Sequence, residues 1–259
     1  MFVETQSALE FDSEMVFPNS NPVILLAEPQ DTPRLAAITT RAFEASDAIF
    51  PLVWGNTAPG AHDAASLMLF NPLQSDTKVT WKVEIDGNIV GYARWFMSVD
   101  SKMAAFKAGN EVDGKRGKRH ADIEKVDGTA TAEIKQKMDE GWKTPDGMNF
   151  DLFMRKVKGS IECKQRDYDA ERDIMLDLCF VDPEYQKLGI GNMLLQWGLE
   201  IADKQGRKIC LVSTPQARRF YEKGGWVVRK SLDIDLEAHG GSGKYGRCWM
   251  IREVQQRKY

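Results

Sequence analysis

Two rhythms of apolar and polar residues run along this chain, and they assign most of its elements. A short apolar run at 23–27 reads as a buried strand. Asp31-Thr32-Pro33 then marks a helix start, a capping side chain followed by a proline whose missing N–H costs nothing there. Leu35, Ala36, Ile38, Thr39 and Phe43 fall on one face of that helix. Residues 51–60 are rich in turn formers and read as a loop, and 61–70 as a second helix stopped before Asn71-Pro72. The period then changes to two. Residues 78–85 alternate, Asp86-Gly87-Asn88 is a turn, and 89–99 resumes as a strand, so the pair is a hairpin.

From 101 to 172 the pattern weakens. This stretch holds 16 Lys/Arg and 14 Asp/Glu, so it is highly charged but nearly neutral. Residues 131–142 and 149–158 read as helices and 109–128 as a loop, and the whole is an insertion between two strands of one domain. Clear order returns with a strand at 174–181. A helix follows at 189–203, with Ile190, Met193, Leu194, Trp197 and Ile201 as its stripe. A strand at 208–212, a helix at 215–223 ended by Gly224-Gly225, and an antiparallel pair at 226–234 and 247–252 complete the series. Residues 1–20 read as a leader or strap, leaving 21–259 as a single domain.

Composition narrows the function classes. A net charge of -3 points to neither nucleic acid nor an anionic membrane as partner. Cys163, Cys179, Cys210 and Cys248 are scattered without a Cys-x-x-Cys pair, which reads as reduced, buried thiols in a cytoplasmic protein. His62, His120 and His239 are far apart and read as surface or loop residues, so no metal site is expected. No run is apolar enough to span a bilayer, and the first residues lack the basic start and apolar core of a secretory signal. The run Lys115-Arg116-Gly117-Lys118-Arg119-His120 reads as a solvated loop, with a nuclear address or an acidic partner as the alternatives. Trp54, Trp95, Phe96, Trp142, Phe150 and Phe153 read as core by default.

The segment that carries chemistry is 176–191, Leu-Asp-Leu-Cys-Phe-Val-Asp-Pro-Glu-Tyr-Gln-Lys-Leu-Gly-Ile-Gly. It runs strand, turn, Gly-x-Gly, amphipathic helix. Glycines let the backbone approach a ligand closely, and the N–H groups at a helix start point outward with a partial positive charge, a cradle for pyrophosphate. A dinucleotide fingerprint requires a third glycine, and position 194 is Leu194; a nucleoside-triphosphate loop requires Gly-Lys-Ser/Thr, which does not follow.

The form Gln-x-x-Gly-x-Gly at Gln186–Gly191, after a strand ending Cys-x-Val, resembles the acetyl-CoA motif of the GNAT acetyltransferases. Downstream, Ala217-Arg218-Arg219-Phe220-Tyr221-Glu222-Lys223-Gly224-Gly225-Trp226 resembles their second motif. The wording of the first motif is most similar to fungal GNAT-domain proteins of undefined substrate. The resemblance implies a mixed α/β fold: a largely antiparallel sheet with a central splayed parallel pair and helices on both faces. It implies an N-acetyltransferase using acetyl-CoA as co-substrate, with a small-molecule amine as the first acceptor class. Protein lysines or N-termini are the second class, and a non-catalytic CoA-binding module is the rival reading. Oligomeric state is left open.

The same resemblance implies that Gln186, Lys187, Leu188, Gly189, Ile190 and Gly191 bind pyrophosphate, and that Cys179, Phe180 and Val181 offer backbone groups to the thioester and pantetheine. Ala217 belongs to the same set, and Ser213 stands near the position of a family asparagine. Tyr221 stands at the family's general-acid position, with a core tyrosine as the alternative. Asp177 shares strand parity with Cys179, which sets both on one face. Such an acid is either an ion pair holding the insertion or the base that uncovers the acceptor's lone pair, a step costing about 4–5 kcal/mol at neutral pH for an amine like lysine. The insertion is expected to wall the acceptor side of the cleft.

Overall fold

A computed structural model of the chain describes residues 21–112 and 143–254. Seven strands form one sheet in the order β1-β2-β3-β4-β5-β7-β6. They are β1 (Val23–Leu26), β2 (Lys78–Ile85), β3 (Asn88–Phe96), β4 (Ile174–Val181), β5 (Ile209–Ser213), β6 (Val227–Asp235) and β7 (Lys244–Arg252). Every neighbouring pair is antiparallel except β4 and β5, which run parallel. The helices are α1 (Thr32–Ser46), α2 (Phe50–Trp54), α3 (Ala61–Leu67), α4 (Val99–Val112), α5 (Phe150–Asp167), α6 (Ile190–Gln205) and α7 (Arg218–Lys223). This is the mixed, largely antiparallel sheet with a parallel pair that the motifs implied.

Apolar residues on the two faces of the sheet bury different helices. On one face, Val79, Val90, Ala93, Trp95 and Met250 pack with Ile190, Leu194 and Ile201 of α6, with Tyr221 of α7 and with Phe106 of α4. On the other, Tyr92 packs with Leu35 and Ile38 of α1, while Tyr245 packs with Val53 of α2 and Leu152 of α5. The described parts of the insertion therefore lie on opposite faces, α4 on the α6 side and α5 on the α1 side. The helix foreseen at 149–158 is present and longer. The expected helix at 131–142, the basic run at 115–120, most of the 109–128 loop and the 1–20 leader lie outside the described residues.

Besides β1, which was expected buried and is an edge strand with Val23, Leu25 and Leu26 exposed, three local expectations change. Residues 51–60 were expected as loop, yet they begin inside α2, because Phe50 and Val53 are buried and Pro51 suits a first helical turn. The strand expected to reach 99 stops at Phe96, because Lys102 at the start of α4 folds back and donates to the Ser75 and Lys78 carbonyls at 2.5 and 2.9 Å. The third change concerns strand parity. Trp95 pairs with Leu176 and Arg94 with Leu178, so Asp177 is the extra residue of a β-bulge. Before it, Ile174 and Leu176 pack toward α6; after it, Cys179 and Val181 take that side, and Leu178 and Phe180 turn to the α1 side. Asp177 bonds Arg94, which stacks on Phe70 and Phe96. Asp177 and Cys179 thus face opposite sides of the sheet, and the simple alternation fails because the bulge inserts one residue into it.

The closest approach of α6 to the sheet is at Gly198, where a Cβ would stand 2.3 Å from the fully buried ring of Trp95. Gly198→Ala is expected to destabilise the fold by about 1–3 kcal/mol, through overpacking. A thermal unfolding midpoint lowered by about 2–4 °C per kcal/mol checks this, and an unchanged midpoint refutes it.

Candidate active site

The parallel pairing of β4 with β5 covers only Ile174, Met175 and Leu176 against Ile209, Cys210 and Leu211. Both strands continue beyond, to Val181 and Ser213, without a further register pair. A cavity of about 630 Å³ opens in this splay and is lined by residues 176–181 of β4, the turn before α6, α7, the end of α1 and Arg247 of β7. That volume suits a small-molecule or cofactor site.

At one end of the cavity lies the 186–191 turn. Lys187 and Gly189 both adopt positive φ, 64° and 78°, which folds the chain tightly back on itself. Gly189 is the N-cap of α6 and no side chain caps the helix. The N–H groups of its first turn are therefore free of side-chain acceptors and carry the positive end of the helix dipole. The turn is held from behind. Asp182, almost fully buried, accepts from Arg34 at 2.8 Å, from Arg41 at 3.1 Å and from the Glu184 N–H at 3.2 Å. The Gln186 side chain donates to the Val181 carbonyl at 3.3 Å and locks the turn to the end of β4. Gly191 has a packing reason as well, since a Cβ there would stand 3.1 Å from the Phe220 ring.

Most residues singled out in the sequence converge here. Asp177, Cys179, Phe180, Val181, Gln186, Lys187, Gly189, Gly191, Ala217 and Tyr221 all line the cavity. Three do not. The Ile190 side chain is in the core, Leu188 packs against that same core, and Ser213 is buried with its hydroxyl spent on the Thr214 carbonyl at 2.8 Å. Thr214 takes the lining position instead of Ser213. Sequence reasoning missed Phe43 and Asp47 at the end of α1, Asn192 in the first turn of α6, and Arg247. Asn192 alone carried a local signal, its place in the first turn after the glycines; the others come from elements distant in sequence.

The two sides of the splay differ in chemistry. On the α6 side, burial pushes the Cys179 thiol up to about 12, so it is a protonated, packed side chain and no nucleophile. Burial, followed by the neighbouring Cys179, raises the Tyr221 phenol well above its usual value, so its hydroxyl proton stays in place. On the α1 side, Arg94 donates through Nε to Asp177 Oδ2 at 2.7 Å, and its Nη2 bonds the same oxygen. Asp47 Oδ2 accepts from Lys156 Nζ at 2.9 Å and from the Tyr245 hydroxyl at 3.0 Å. Lys156 also lies 4.5 Å above the Phe43 ring, and burial lowers its pKa. Arg247 donates from Nη1 to the Lys156 carbonyl, while its Nε is buried without an acceptor. A donor left in that state costs about 1–3 kcal/mol. Burial lowers the Arg247 pKa, with Tyr245 and Asp47 opposing.

A helix N-terminus and a strand edge thus open into one cavity beside a charged cluster. A protein-family model described as acetyltransferase (GNAT) domain matches residues 151–228, which take in α5, β4, the 186–191 turn, α6, β5 and α7. No curated protein matches the chain. Among solved structures, the chain is similar to the histone acetyltransferase HPA2 and related acetyltransferase from Corynebacterium glutamicum, at 17% identity and a TM-score of 0.48, covering 92% of this chain and 99% of that one. It is similar to a GNAT-family acetyltransferase from Streptococcus pneumoniae at 14% identity and 0.46, covering 91% and 100%. A third is the PaiA N-acetyltransferase of Thermoplasma acidophilum in complex with coenzyme A, at 13% and 0.45, covering 90% and 97%.

His62, expected at the surface or in a loop, sits instead on α3 among Phe43, Phe50 and Trp54, with Nδ1 2.7 Å from the Thr40 hydroxyl. Burial first, and then the Lys156 charge, lower its pKa to about 4, against a weaker opposing pull from Asp63. The unfolded chain takes up this proton near pH 6.5 and the folded chain refuses it until about 4. His62 therefore contributes stability above pH 6.5 that is lost as pH falls toward 4. The loss is expected to reach about 3 kcal/mol. Denaturant titrations of wild type and His62→Leu from pH 7.5 to 4 check this: the wild type should lose more stability across that range, and parallel profiles refute it.

Proposed function

We propose that this chain is an acetyl-CoA-dependent N-acetyltransferase that passes the acetyl group directly to the amine of a small molecule. The observation that carries this reading is the single cavity joining the uncapped start of α6 to the unpaired edge of β4. The match of residues 151–228 to the GNAT domain model supports it. The residues present fit the co-substrate: the turn offers N–H groups and no carboxylate to a pyrophosphate, and the splay offers backbone groups to an amide-bearing arm. When bound, acetyl-CoA supplies an acetyl thioester whose transfer forms an N–C bond, breaks the S–C bond and frees one amine proton.

In this reading the first-turn N–H groups of Gly189 to Asn192 hold the pyrophosphate, with Lys187 adding charge. Cys179 and Val181 act through their backbone, since the thiol is packed. Tyr221 serves as a hydrogen-bond donor at the cavity wall rather than a full proton donor. Its raised pKa makes transfer to a sulfur of basicity near pKa ~8.5 uphill, while a hydrogen bond to developing charge is favourable. Asp177 takes the amine proton. Both bonds from Arg94 fall on Oδ2, which orients the carboxylate and leaves Oδ1 for the acceptor. The ion pair of Asp177 is with Arg94 of β3 rather than with the insertion, and in this reading Arg94 positions Asp177 as the base. The chain from 21 onward acts as one domain, since α4 and α5 pack on opposite faces of one sheet and neither builds a core apart from it. Placement of α5 behind Asp47 and Arg247 gives the acceptor side a fixed wall, which supports a small amine over a protein tail.

Asn192→Glu separates fold from binding. A carboxylate in the first turn favours the helix by about 0.3–1 kcal/mol yet opposes a bound anion. Calorimetry is expected to show acetyl-CoA bound by the wild type and weakened at least about tenfold, about 1.4 kcal/mol, in a variant that unfolds no earlier. Equal affinity in the two proteins removes the basis of the reading.

Tyr221→Phe is expected to lower kcat about 10²-fold while the acetyl-CoA Kd stays within about twofold. Steady-state turnover and binding measured on one preparation check this. A kcat near that of the wild type would make Tyr221 a packing residue.

A further inference from the structure

We propose that Arg247 selects the acceptor by its anionic group, so that the substrate is an amine bearing a carboxylate, as an amino acid does. The proposal rests on the acetyltransferase reading for the identity of the cavity, and it concerns the opposite end from the pyrophosphate turn. On the α1 side, Asp47, Asp177 and Arg247 line the cavity, and two further cations outside the lining, Arg94 and Lys156, pair with the two carboxylates. Asp177 is engaged by Arg94, and the bonded oxygen of Asp47 is shared between Lys156 and Tyr245. Arg247 lines the cavity, yet no carboxylate of the described residues lies within ion-pair distance of it. A guanidinium carries five N–H donors in a fixed fork. Here one donates to the Lys156 carbonyl and Nε is buried without an acceptor.

A guanidinium at the wall of a cavity, with no carboxylate of the described residues paired to it, is matched best by a planar anion. Burial of Arg247 adds to the gain, because the charge already stands in poorly hydrated surroundings. Phe43 and Phe180, which line the same cavity, give the rest of the acceptor apolar walls. The α-amine of such a substrate would then lie toward Asp177, with its carboxylate toward β7.

Calorimetry with the acetylated product class tests this without turnover. N-acetyl amino acids with small, apolar and aromatic side chains are titrated beside their carboxamides, which keep the shape and lose the charge. The best carboxylate is expected to bind wild type at least about tenfold tighter than its carboxamide. In Arg247→Gln that preference should shrink to within about twofold, and Arg247→Lys should keep part of it, with acetyl-CoA affinity unchanged in both. In turnover, Arg247→Gln should raise KM for amino acids far more than it lowers kcat. Carboxamides that bind wild type as well as carboxylates overturn the proposal, whether or not the variants fold. Equal loss of acetyl-CoA binding in Arg247→Gln overturns it too, by moving Arg247 to the co-substrate. Failure of wild type to bind acetyl-CoA would defeat the acetyltransferase reading instead, and the carboxylate comparison would still decide the role of Arg247.

Discussion

Backbone N–H and C=O groups that leave a sheet ladder need other partners, and β4 leaves its ladder with β5 after Leu176. The rest of the site follows from that break. Parallel strands are normally covered on both faces and paired along their length. Here the pair separates while β4 remains anchored to β3 through Val181 and β5 remains anchored to β7 through Ser213. Each strand is stable on its outer side, so the gap between them persists without collapse of the sheet. The bulge at Asp177 falls where the separation begins, and bulges bend and twist the strand that carries them. One inserted residue thus turns the strand away from its neighbour and moves its acidic side chain to the face opposite Cys179.

The two faces of the sheet then have separate tasks. The α6 face brings dipole and backbone donors, set by Gly189 and braced by Asp182 between Arg34 and Arg41. These groups present partial positive charge without a charged side chain, independently of the net charge of -3. The α1 face brings side-chain charge. Its buried ions are costly to desolvate and are kept by pairing, Arg94 with Asp177 and Lys156 with Asp47. Helix α5, from the charged insertion, supplies Lys156 and the carbonyl that holds Arg247, so the insertion braces this side of the cavity from behind.

Much of this was legible in the residues in order. The apolar runs gave β2 and β4 to the residue and β3 to within three residues at its end, because half-buried and central strands must present alternating or continuous apolar positions to two packed faces. The glycines at 189 and 191 and the apolar stripe behind them marked the turn and α6, since backbone geometry and helix phase are both local properties. Tyr221 was legible through the motif around it. Helices α2 and α4 were not, because a five-residue helix and a charged one are held by tertiary contacts, those of Val53 with α5 and of Lys102 with the Ser75 and Lys78 carbonyls, rather than by their own pattern.

What the sequence by itself determined is the order of elements and the cradle at 186–191, where every deciding residue lies within a few positions of the next. Only the tertiary structure decided the charged cluster on the α1 side. Asp47, Asp177, Lys156, Tyr245 and Arg247 are spread over some two hundred positions, and of these only Asp177 stood out in the sequence. Their pairing depends on which strand lies beside which and on one bulge that reverses a face. Side-chain periodicity is set by the backbone within an element, whereas charge pairing is set by distance across elements, and only the folded chain fixes that distance.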